Sequence, residues 1–188
     1  MVVVSSAQCE SAHSVLRGER CRAHALAADG SCSRRPNGIR LRVSTFRKGD
    51  AMSDVMIQVA HLRFAARFEE AAAPRTCAAF RAMLPFSQNL IQTRWSGEAA
   101  WVPMGELDLG LPAENATSHP SRGDILLYPR GASETELIFA YGSCSFSSKV
   151  GQLAGNHFLT LTAGFEHLPE MGRLVLWKGA QPILIEAA

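Results

Sequence analysis

Arg122-Gly-Asp-Ile-Leu-Leu-Tyr-Pro129, followed by Glu136-Leu-Ile-Phe-Ala-Tyr-Gly142, is the stretch on which the fold turns. Two short runs of Ile, Leu, Phe and Tyr, separated by Pro129, Gly131 and polar residues, predict the strands of a β-hairpin. Tyr128 and Tyr141 sit at the ends of these adjacent strands, and they are the two tyrosines of the chain.

Upstream, Val55–Val59 and Leu62–Phe68 read as a strand pair. Pro74–Leu84 reads as a short amphipathic helix, with Pro74 in its first turn and Pro85 as its stop. Asn89–Trp95 and Glu98–Val102 read as two more strands across a Ser96-Gly97 turn, in which glycine supplies the positive φ and Trp95 and Glu98 come side by side. Residues 103–121 show no period and are expected to form a long connection over a pocket. Downstream come a loop from Gly142 to Gly155, a strand Asn156–Thr162, a helical turn Phe165–Met171, and closing strands Gly172–Trp177 and Pro182–Glu186. About eight strands and one or two short helices predict a mainly β fold. A sheet this small with apolar residues on both faces curls into a closed β-barrel and so loses its edges.

The 188 residues are 47% hydrophobic and 19% charged, which suits one buried core. No apolar run approaches the roughly 20 residues of a membrane-spanning helix, and no signal peptide is legible. The expectation is a cytoplasmic, soluble protein. Residues 1–51 carry nine Lys/Arg against four Asp/Glu, whereas 52–188 carry ten against thirteen. The basic character therefore belongs to the leader, and the remainder has no cluster that tracks a phosphate backbone, so nucleic acid is not an expected partner. Cys9, Cys21 and Cys32 lie in the leader and only Cys77 and Cys144 beyond it, none in a CxxC spacing. Zinc and a disulfide framework are thereby disfavoured. Cys77 fits a helix core, and Cys144 is a loop thiol with reactive potential.

Residues 1–51 are rich in Ser, Arg, Ala and Gly and show neither a period of 2 nor of 3.6. They read as a disordered leader. Arg47-Lys-Gly-Asp-Ala-Met52 can be encoded by a purine-rich run a few bases before an ATG, as a bacterial ribosome-binding site would be, so Met52 is the expected start of a domain spanning 52–188. A transit peptide is the competing reading, weakened by four acidic residues.

Several blocks together carry a family resemblance: Arg94-Trp-Ser-Gly-Glu98, the Gly123-Asp124 strand, Glu136–Gly142, and Gly151-Gln-Leu-Ala-Gly-Asn-His-Phe158. Pro74-Arg-Thr and Ala82-Met-Leu-Pro85 look like the opening and stop of the first cyclophilin helix. The pattern resembles the DUF3830 family, bacterial cyclophilin-like barrel proteins of unassigned function. The resemblance implies a cyclophilin-like barrel over nearly all of 54–188. Prolyl isomerase activity is not expected, because the Arg-Val-Ile-x-x-Phe-Met-x-Gln-Gly-Gly run of true cyclophilins has no counterpart and fold alone does not carry function.

Arg94 and Glu98 fall inside that family pattern. A buried Glu98 beside Trp95 and Trp101 would hold a proton near neutral pH, whereas an ion pair with Arg94 is the structural alternative. Arg94 can instead take a substrate carboxylate through two parallel hydrogen bonds. Paired Tyr128 and Tyr141 phenols can polarise one ligand oxygen or serve as core tyrosines. Glu136 is either a rim carboxylate facing a pocket or a solvated strand residue. Asn156 and His157 open a strand at a Gly-rich loop, where His157 is the best-placed histidine for acid–base work.

No cofactor and no metal are expected, since neither HExxH nor phosphate-loop spacing occurs. Two functions remain open: an enzyme of a small carboxylate- or amide-bearing metabolite, or a non-catalytic ligand-binding or assembly module. Trp95, Trp101, Trp177 and the apolar Ile183-Leu-Ile185 also suggest a homo-oligomer through a free sheet edge.

Overall fold

Buried and open positions alternate along Val55–Val59, which turns Val55, Ile57 and Val59 toward the interior, whereas Ile125–Tyr128 and Glu136–Ala140 are buried on both faces. The structure is a computed structural model that describes residues 53–188. The leader, its Met52 boundary and the question of its disorder lie outside the described residues. The strands are β1 (Val55–Val59), β2 (Leu62–Phe68), β3 (Phe86–Gln92), β4 (Gly97–Pro103), β5 (Ala116–Thr117), β6 (Asp124–Tyr128), β7 (Glu136–Cys144), β8 (Ser147–Ser148), β9 (Gly151–Gln152), β10 (Gly155–Ala163) and β11 (Gln181–Ala187). Helices α1 (Pro74–Arg81) and α2 (Leu168–Trp177), with 3-10 turns at Arg94–Ser96 and Phe165–His167, complete the chain.

Eight strands pair in the order β2-β1-β11-β3-β4-β7-β6-β10, and β10 returns to β2. The result is the closed, wholly antiparallel barrel expected from the sequence. Phe64, Leu90, Ile125, Leu127, Leu137, Phe139 and Phe158 fill it. Each such side chain contributes roughly 1.5–3 kcal/mol through burial. At one mouth Phe80 of α1 packs 5.2 Å from Phe86 and 4.7 Å from Phe158. At the other, α2 inserts Leu168, Met171 and Val175. A smaller apolar cluster of Leu126, Tyr128, Ile138, Phe146 and Leu153 lies outside it, on the opposite face of β6 and β7.

Three expectations are corrected. Gly172–Trp177 is part of helix α2, because Leu168, Met171, Gly172 and Val175 are buried at helical spacing against the barrel mouth. The link between β3 and β4 is no two-residue turn, since β3 stops at Gln92 and a 3-10 turn intervenes; Gly97 still supplies the positive φ, at 92°. Nor is the C-terminal strand a free edge, as β11 is paired on one side with β1 and on the other with β3.

Candidate functional site

A cleft of about 710 Å³ opens where α2 covers the barrel mouth. Gln92 comes from the end of β3, Arg94 from the 3-10 turn, Glu98 from the start of β4, Arg122 from the turn before β6, Tyr141 and Gly142 from β7, and Arg173 and Trp177 from α2. Arg173 and Trp177 are one helical turn apart and so share a face.

Glu98 is exposed, and its Oε2 accepts the Ser143 backbone N–H at 2.8 Å. That bond requires Gly142: a Cβ there would stand 2.2 Å from Oε2. The Trp95 and Trp101 rings, expected to bury Glu98, stack against each other elsewhere with centroids 5.7 Å apart. The Arg94–Glu98 ion pair does not form, and among the described residues none of Arg94, Arg122 and Arg173 has a carboxylate within salt-bridge distance. Arg122 donates instead to the Phe165 carbonyl at 2.7 Å.

The Tyr141 hydroxyl donates to Gln92 Oε1 at 2.7 Å. Burial pushes its phenol above the usual tyrosine value, the Gln92 bond opposes this, and the Glu98 charge adds to it, so the group is a proton-bearing donor. Its ring packs against α2 where residue 172 has no side chain, since a Cβ there would stand 2.5 Å from Cε2.

The other sequence candidates lie apart from this cleft. Tyr128 pairs with Glu136 at the loop end of the hairpin, about 17 Å along β7 from Tyr141 at 3.3 Å per residue. Its phenolic oxygen accepts the Ala132 N–H. The two phenols therefore cannot act on one ligand oxygen. Glu136 is 2% exposed and lines a second cavity with Trp95 and Trp101.

Asn156 is 1% exposed, its Nδ2 donating to Thr76 Oγ1 and the Pro112 carbonyl while its Oδ1 accepts the Glu114 N–H. Glu114 in turn accepts both the N–H and hydroxyl of Thr76 in the first turn of α1. This network ties the long connection to the helix.

His157 Nε2 lies 2.9 Å from Thr160 Oγ1 and 3.4 Å from Asp124 Oδ1. Thr160 gives its proton to Glu69 at 2.7 Å, so its oxygen accepts from His157, and the same bond lowers the Glu69 carboxyl below its ordinary value. Cys144 is half-buried and its thiol is pushed up to about 11 by burial, which withholds the thiolate needed for reactivity. Among the described residues no group of three or more His, Cys, Asp or Glu is arranged to hold a metal. No helix of the described residues is long and apolar enough to cross a membrane.

Sequence reasoning missed Gln92, Arg122, Arg173 and Trp177. Arg122 stood beside the Gly123-Asp124 block. Arg173 and Trp177 were hidden by reading their segment as a strand.

Two solved structures are similar in fold. One is the structure of McbB in complex with tryptophan, at 12% identity and a TM-score of 0.57, covering 70% of this chain. The chain spans 44% of McbB's length. The other is the solution structure of a hypothetical protein from Archaeoglobus fulgidus, at 16% identity and a TM-score of 0.50, covering 76% of this chain and 100% of the archaeal one. No curated protein matches the chain. The match to the family described as "Protein of unknown function (DUF3830)" extends over residues 55–186, from the first residue of β1 almost to the end of β11, and the chain belongs to that family.

Proposed function

We propose that the cleft under α2 binds a small metabolite bearing a carboxylate and transforms it by acid–base chemistry. The observation that carries this reading is the convergence of Arg94, Arg122 and Arg173 on one cleft whose lining includes a single carboxylate, Glu98, with no ion pair to any of them among the described residues. Guanidinium groups left without counter-ions in a concave site favour a planar anion. Arg94 and Arg173 hold the carboxylate, and Trp177, 72% exposed, offers an aromatic face to the ligand body. Tyr141 turns its one hydroxyl proton from Gln92 Oε1 to a developing oxyanion, and Glu98 takes the proton through the carboxylate oxygen that Ser143 leaves free. An amide in place of the carboxylate would use the same donors. Prolyl isomerisation is not proposed, for want of the cyclophilin catalytic run.

A second reading, binding without turnover, is favoured by the solvent exposure of Glu98. In both readings the ligand stabilises the folded chain by mass action. A thermal-shift series of small carboxylates, amides, hydantoins and cyclic imides on the full chain is expected to raise the midpoint for carboxylates. Arg94→Lys should weaken that binding by about tenfold, or about 1.4 kcal/mol. Glu98→Gln should abolish turnover while retaining affinity; unchanged turnover removes Glu98 from the chemistry. No midpoint change with any carboxylate overturns the reading.

A further inference from the structure

On the outer side of β4 and β7 a second cavity of about 440 Å³ lies between Trp95, Trp101, Glu136 and the turn carrying Lys149 and Val150. It is separate from the arginine cleft, and Glu136 and Tyr141, an odd number of residues apart on β7, face opposite sides of the sheet. Glu136 is 2% exposed, and its Oε1 has no hydrogen-bond partner among the described residues. Leaving such an oxygen buried without a donor costs on the order of 1–3 kcal/mol, which an apolar residue at the same position would avoid. That oxygen is therefore left to a donor that is not among its present partners.

The surroundings specify its charge. Trp95 and Trp101 meet edge to face at 73° and both line the cavity, and Trp95 is 55% exposed. Glu134 adds a second carboxylate, one oxygen of which accepts the Gly105 N–H. Two carboxylates beside two indoles favour a cation, which an aromatic face attracts through its quadrupole and a carboxylate through charge and hydrogen bonding. Lys149, on the exposed turn, is the one positive side chain lining the cavity, and no ion pair ties it to either glutamate.

We propose that this cavity is a second binding site, for a small organic cation of the ammonium or guanidinium class, with Glu136 as its counter-ion and Trp95 and Trp101 as its aromatic walls. Ligand binding supplies the proton donor that the Glu136 oxygen lacks. Burial raises the Glu136 carboxyl to about 7, with Glu134 adding to the shift and the Ser133 hydroxyl opposing it. Tyr128, beside Glu136 across the hairpin, has its phenolic oxygen engaged by Ala132. Glu136 therefore gains its negative charge as pH rises through about 7, and cation binding tightens across the same range.

The test uses the full chain carrying Trp177→Phe, so that Trp95 and Trp101 alone report by fluorescence. Choline, ethylammonium and methylguanidinium chlorides are titrated at constant ionic strength, at pH 8 and at pH 5.5, with neutral 3,3-dimethylbutan-1-ol as the choline isostere. At least one cation is expected to give a saturable change, about tenfold weaker at pH 5.5 and in Glu136→Gln. Lys149→Met, which removes the competing charge, should tighten it. No saturable response to any of the three cations overturns the proposal, as does equal affinity for the neutral isostere or undiminished affinity in Glu136→Gln. Should that variant fail to fold, the pH comparison with Glu136 intact decides: equal affinity at the two pH values overturns the proposal.

Discussion

A carboxyl group with 2% of its surface exposed, as at Glu136, loses the hydration that makes its charged form stable in water. Its folded value near 7 lies above the ordinary 4.5. Below about 4.5 both the folded and unfolded chains are protonated there and the group is neutral to stability. Between 4.5 and 7 the unfolded chain has released its proton while the folded chain keeps it, so stability falls as pH rises. Above about 7 the full penalty is present, on the order of 3 kcal/mol. Urea denaturation from pH 4 to 8 is expected to show this decline in the native protein and its disappearance in Glu136→Gln. An equal decline in both would place its origin elsewhere. From the sequence Glu136 was either a pocket carboxylate or a solvated one, because strand alternation assigns a face and not what covers it. Arg94 and Glu98 were legible as a pair through a shared motif, yet their ion pair does not form, and one Glu98 oxygen accepts the Ser143 N–H instead.

The hairpin of β6 and β7 shows what reading by element recovers and where it fails. Its two strands and their pairing were legible, and the register places Leu126 opposite Ile138 and Tyr128 opposite Glu136. The tyrosines were misjudged because the C-terminal ends of antiparallel strands lie at opposite ends of the pair. The helical turn expected at Phe165–Met171 is the 3-10 turn and the start of α2, but the rest of that helix was missed for a different reason: Gly172-Arg-Leu-Val-Leu-Trp177 is a short apolar run whose alternation fits a strand as well as a buried helix. The same Gly172 admits the Tyr141 ring. Gly172→Ala is a test at this scale, because alanine favours the helix by about 1 kcal/mol whereas overpacking costs about 1–3 kcal/mol. The expected balance is a loss of stability in urea denaturation, accompanied by a weaker carboxylate response as Tyr141 is displaced from Gln92. A net gain in stability would mean that the ring moves aside freely.

In the whole molecule, closure is the governing constraint, and each barrel strand has a partner on either side. β11 joins β1 to β3, so its removal opens two edges and strips Ile183 and Ile185 from the core. A chain ending at Ala180 is expected to lose its cooperative thermal transition. A retained transition would show that closure is dispensable. The order of apolar and polar residues by itself determined a mainly β chain of short antiparallel strands, a first helix opening at Pro74, and a barrel as the way to bury both faces of so small a sheet. These follow from local periodicity and from turn and capping residues, which act over a few positions. Tertiary structure decided which side chains meet. It gathered Arg94, Arg122 and Arg173 from three separate segments under α2, left Asn156 and His157 in networks of their own, and set Glu136 in a second cavity with two tryptophans. Such meetings depend on strand order around the barrel and on which helix covers which mouth, and both are set by long-range packing that no local pattern encodes.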